Sequence, residues 1–144
     1  MAVYSIDGVT SLFTASSAGA ELRTTSTDGA RLLTWTWGLN ANPASAFTLA
    51  LGRPAAIGIT PTTPVTWVRE DPAAPVGTVQ LVTAGWGTAP TAPANFFRRF
   101  RIFHNCYMIW EFPEGLRIAV SNSLVLWNAV GTAVAVQMAL TGDE

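Results

Sequence analysis

Phe97-Arg98-Arg99-Phe100-Arg101-Ile102-Phe103, Met108-Ile109-Trp110-Glu111-Phe112, Leu116-Arg117-Ile118-Ala119-Val120 and Ser123-Leu124-Val125-Leu126-Trp127-Asn128 follow one another closely, with Pro113-Glu114-Gly115 as punctuation between the second run and the third. Short runs of β-branched, aromatic and leucine side chains, separated by Gly, Pro and Asn, read as strands and turns, and a chain of them builds a β-sandwich. The same stretch holds no cluster of His, Cys, Asp or Glu, which leaves chemistry without an instrument. A structural or binding protein is the expectation.

Upstream, the pattern continues. Val3 to Ile6 and Val9 to Thr14 read as short strands around the turn residues Asp7-Gly8, and residues 1–20 are set apart as an N-terminal arm or hairpin ahead of a sandwich domain over 21–144. Arg31-Leu32-Leu33-Thr34-Trp35-Thr36-Trp37-Gly38-Leu39 alternates most clearly: period two places Leu33, Trp35 and Trp37 on one face and Thr34 and Thr36 on the other. Asn40 to Pro43 reads as a turn from which Phe47 to Leu51 returns as an antiparallel partner. Val65 to Val68 and Gly77 to Thr83 add strands between two loops rich in Pro, Gly, Ala and Thr, residues 52–64 and 88–95. Turn signals every ten or so residues give about eight short strands in an all-β, single-domain, jelly-roll-like antiparallel β-sandwich. No segment has helical periodicity.

A chain of 144 residues fits one domain and buries a core without staples. Its 12% of charged residues is about half the usual share, beside 49% hydrophobic residues, so much of the surface is small and neutral or is covered by other subunits; self-association is the preferred explanation. All eight basic residues are arginine, the side chain suited to bidentate interface pairs. A formal net charge of −1 supplies no basic field for nucleic acid, and no window is long and apolar enough to span a membrane. The first eight residues lack the basic and apolar regions of a signal peptide, so export by that route is not expected.

Candidate chemistry is sparse. Cys106 is the single cysteine and His104 the single histidine. Two side chains complete no metal site, and no Asn or Asp is placed to orient the ring of a Cys-His nucleophile. Glu70-Asp71 has no further oxygen donors at a calcium spacing and reads as a solvated turn. There is no phosphate loop, nucleophile elbow or internal repeat. No catalytic residue, cofactor or metal is therefore expected. Trp86, between Gly85 and Gly87, has two readings: a buried interface anchor, or a stacking platform for a sugar.

Leu51-Gly52-Arg53-Pro54, Val68-Arg69-Glu70-Asp71-Pro72, Phe96-Phe97-Arg98-Arg99, Ile109-Trp110-Glu111-Phe112-Pro113-Glu114-Gly115-Leu116 and Ser123-Leu124-Val125-Leu126-Trp127-Asn128 carry a likeness that extends over most of the chain. In this combination the sequence resembles small virion proteins of tailed bacteriophages, of the jelly-roll decoration or cement type. The resemblance implies a structural protein made in the host cytoplasm, a homotrimer on the capsid surface bound to the major capsid protein, and no catalysis. His104-Asn105-Cys106-Tyr107 departs from the small residues and glycine expected there. Arg and aromatic side chains on or beside loops are the usual interface anchors, which nominates Arg53, Arg69, Trp86, Phe96, Arg98 and Arg99. The alternatives are a tail or fibre module that binds a host receptor or glycan, and a secreted carbohydrate-binding module.

Overall fold

The computed structural model describes residues 2–25, 27–103 and 106–144, and these contain eleven strands and no helix. In chain order they are β1 (Val3–Val9), β2 (Ser17–Arg23), β3 (Ala30–Leu39), β4 (Phe47–Pro54), β5 (Val65–Thr66), β6 (Val68–Arg69), β7 (Gln80–Val82), β8 (Pro93–Ile102), β9 (Tyr107–Ile118), β10 (Ser123–Gly131) and β11 (Val136–Asp143). They form a five-stranded sheet, β6-β1-β11-β3-β9, and a six-stranded sheet, β5-β7-β2-β10-β4-β8.

Setting aside the short strands β5, β6 and β7, the pairings nest: β1 with β11, β2 with β10, β3 with β9 and β4 with β8, all antiparallel. The chain is thus one long hairpin whose tip lies between β4 and β8. Rolling that hairpin up also brings β11 against β3 and β10 against β4, which is the jelly-roll order. The inner faces meet in one core that includes Leu22, Leu32, Trp35, Trp37, Leu49, Leu51, Leu124, Leu126 and Leu140, each with essentially no exposed surface. Full burial contributes roughly 1.5–3 kcal/mol per side chain of this size.

Several local readings are corrected by packing. Asp7-Gly8 lies inside β1 rather than in a turn; a Cβ on Gly8 would stand 2.8 Å from the Leu81 side chain, so glycine here admits a core neighbour. Of the stretch read as an arm, 1–20, the described residues contribute to the sandwich itself, with β1 between β6 and β11 and Ser17 opening β2. Pro113-Glu114-Gly115 is an interruption within β9, where the pairing with β3 shifts between Leu32 and Thr34 and Gly115 takes φ +73°. Leu33 is itself a bulged residue of β3, since consecutive Thr141 and Gly142 of β11 pair with Thr34 and Leu32, and this puts Leu32, not Leu33, on the core face with Trp35 and Trp37. Residues 40–46 cross between sheets: β4 pairs with β10 and β8, not with β3.

Candidate functional site

Two loop arms from the tip of the long hairpin fold over the outside of the six-stranded sheet. Ile59 and Thr88 pair through Ile59 N–H to Thr88 O at 2.9 Å, and Thr62 N–H donates to Gly85 O at 3.0 Å, so the arms hold each other. Beneath them Glu21 points away from the core with no exposed surface. Its carboxylate accepts from Gly58 N–H at 3.0 Å, Trp86 Nε1 at 2.9 Å and Ser123 Oγ at 2.7 Å. Arg23 Nη1 lies 3.8 Å from the same carboxylate and donates to Gly58 O at 2.8 Å. A buried carboxylate is tolerated when its lone pairs are taken up in this way, and here it pins both arms to the sheet. Ala50, Val82, Val125 and Trp127 are buried but stand outside the main core cluster, forming a second apolar layer.

The outside of the five-stranded sheet differs. Register places Ser5, Thr141, Thr34 and Glu111 in one row across it and Asp7, Ala139, Thr36 and Ile109 in the next. Val9, Val68, Tyr107 and Ile109 are exposed around these small side chains, and a shallow depression of about 440 Å³ is lined by Val9, Thr36, Gly38, Tyr107 and Gln137 among others. This face carries two carboxylates, Asp7 and Glu111, and no arginine at the positions named.

The two lateral edges of the sandwich are also unlike. One ends in the two-residue strands β5 and β6, the other in the long strands β8 and β9. At the long edge, Phe100 stacks on Trp110 with centroids 6.4 Å apart, and Arg98 lies 4.9 Å over the Phe112 ring. Arg98 also donates to Glu111 O at 3.4 Å, bridging one sheet to the other. Arg53 over Phe97, Arg99 over Phe96 and Arg101 over Phe103 make further stacks, at 4.7, 5.7 and 5.4 Å.

Of the six interface candidates, Arg53, Phe96, Arg98 and Arg99 gather at this edge. Arg69 sits at the opposite side in β6, where it donates to Ala74 O at 2.8 Å. Trp86 belongs to the loop arms, half-buried against Gly58, with its N–H bound to Glu21. Glu70 and Asp71 are exposed, and Asp71 Oδ1 accepts from Ala73 N–H at 2.9 Å in a local turn. Cys106 is half-buried; His104, its suggested companion, lies outside the described residues. Among the described residues no three His, Cys, Asp or Glu side chains converge on a metal position.

Sequence reasoning passed over Glu21 and Tyr107. The one available signal for Glu21 was a lone carboxylate between Ala20 and Leu22 in a run that otherwise reads as core. Comparison of the chain with protein-family models, curated proteins and solved structures finds no match.

Proposed function

We propose that the protein is a structural virion component: a capsid decoration protein that binds the outer surface of a major capsid lattice as a homo-oligomer, in the trimeric form implied by its resemblance to such proteins, and stabilises the head. The observation that carries this reading is the contrast between the two outer faces. The chain covers one of its sheets with its own loop arms and leaves the other bare, with mostly small side chains and the two carboxylates Asp7 and Glu111 framed by Val9, Val68, Tyr107 and Ile109. Exposed apolar patches of this kind on soluble domains mark interaction surfaces. Many equivalent weak contacts across a lattice add through effective concentration, so each interface need only be modest.

The glycan-binding alternative leans on Trp86 as a stacking platform. That ring lies against Gly58 and is tied through its N–H to Glu21, an internal role that makes it a poor platform. Add-back tests the proposal: purified protein mixed with heads assembled without it sediments with them to saturation. Protein that remains in the supernatant at all ratios, or that instead binds saturably on a glycan array, sinks the decoration reading.

A further inference from the structure

We propose that the β8–β9 edge is the self-contact of the assembly, with β8 of one copy lying antiparallel against β9 of the next. This deepens the homo-oligomer part of the proposed function and rests on it. Long, exposed edge strands are a hazard that proteins usually blunt by shortening or covering them. The chain does so on one side, where the sheets end in β5 and β6, and leaves the twelve-residue β9 and ten-residue β8 open on the other. Phe100, Phe103, Tyr107 and Ile109 are 44%, 62%, 75% and 50% exposed along that edge, a concentration of apolar surface that a partner would remove from water.

Charge selects the partner. β8 carries Arg98, Arg99 and Arg101, and β9 carries Glu111 and Glu114 along its middle, with Arg117 near its end leaving that strand one negative charge in excess. Among the described residues the only ion pairs are Arg23–Glu21 and Arg31–Asp143, so neither the cationic strand nor the anionic one is neutralised within its own chain. The edge is therefore complementary to itself. Phe100 meets Trp110 while Arg98 meets Phe112, which shows that β8 and β9 run in opposite directions on the two sheets. A second copy turned about an axis parallel to the strands presents its β9 antiparallel to the first copy's β8, arginines towards glutamates. Two such copies form an isologous pair and three form a closed ring; both use the same β8-to-β9 contact. Rim charges of this type fix partner and register more than they add affinity, while the aromatic side chains supply the buried area.

Light scattering on the full chain tests the contact. The expected mass is two or three times the 15.3 kDa of one chain. Reversing the exposed arginines, Arg99→Glu with Arg101→Glu, is expected to drop the mass to that of a single chain, and adding Glu111→Arg with Glu114→Arg to restore the oligomer. Hydrogen exchange on the unaltered protein supplies a second readout independent of variant folding: β8 and β9 gain protection as concentration rises through association. A single-chain mass at every concentration overturns the proposal, as does an oligomer indifferent to charge reversal whose β8 and β9 amides do not respond to dilution. Add-back to heads is read separately, so a monomer that still saturates heads refutes this contact and spares the decoration function.

Discussion

Glu21 links the two apolar layers of the molecule. Its carboxylate is wholly buried and satisfied by one backbone N–H, one indole N–H and one hydroxyl, each from a different part of the chain. Hydrogen bonds to a charged group contribute about 1.5–3 kcal/mol each, and an acceptor left unpaired in the interior costs a similar amount. Trp86→Phe, which removes the N–H and keeps a ring, is expected to destabilise the protein by roughly that amount. Glu21→Gln, which replaces an acceptor with a donor facing other donors, is expected to cost at least as much. In a double-mutant cycle by denaturant unfolding, the two changes together should cost clearly less than the sum of the single ones, because both act on one contact. Strict additivity would mean that the indole does not hold the carboxylate. The sequence offered only the placing of Glu21 as a lone carboxylate between Ala20 and Leu22, and showed Trp86 as a loop aromatic awaiting a partner. Their meeting depends on the loop arms doubling back, and no local pattern encodes that.

At the level of elements, strand existence was written in the sequence more clearly than strand limits or partners. The alternation of Trp35 and Trp37 with Thr34 and Thr36 gives β3 its two faces directly. A bulge at Leu33 in β3 itself, skipped in the pairing with both β11 and β9, then exchanges Leu33 for Leu32 in the core, a change that a period-two pattern cannot anticipate. Trp67 illustrates a second limit. It separates β5 in one sheet from β6 in the other, is buried, and packs its ring 5.9 Å from Tyr4 and against Gly142. What read as one strand is two, divided by an aromatic plug between the sheets. Trp67→Ala should cost about 3–5 kcal/mol through the cavity it leaves. Gly142→Ala should cost about 1–3 kcal/mol or more, because the new Cβ collides with the same ring and with Arg31 O. Thermal or denaturant unfolding reads both; a neutral Gly142→Ala would show that Trp67 does not occupy this position. Native-state hydrogen exchange should find the central strands β3, β10 and β11 slowest, and the two-residue strands β5 and β6 among the first to open.

For the whole molecule, the nested hairpin joins the two ends of the chain: β1 pairs with β11 from Val3 with Asp143 to Val9 with Gln137. Pairing of such distant segments makes loop closure costly before contacts repay it, so refolding is expected in the milliseconds-to-seconds range typical of all-β sandwiches, or slower. Stopped-flow fluorescence of the buried tryptophans measures it; microsecond refolding would be incompatible with this topology. The same arrangement gives a rigid body with one sheet covered by its own loops, one sheet bare, one edge capped and one edge open. The proposed function would use those asymmetries for permanent contact, and the 12% of charged residues agrees with that proposal. On the proposed reading the chain is a phage gene product, and quantitative mass spectrometry of the purified phage particles tests that reading most directly. The account predicts the protein in stoichiometric proportion to the major capsid protein; its absence from the particle, or a copy number matching the tail components, would contradict it.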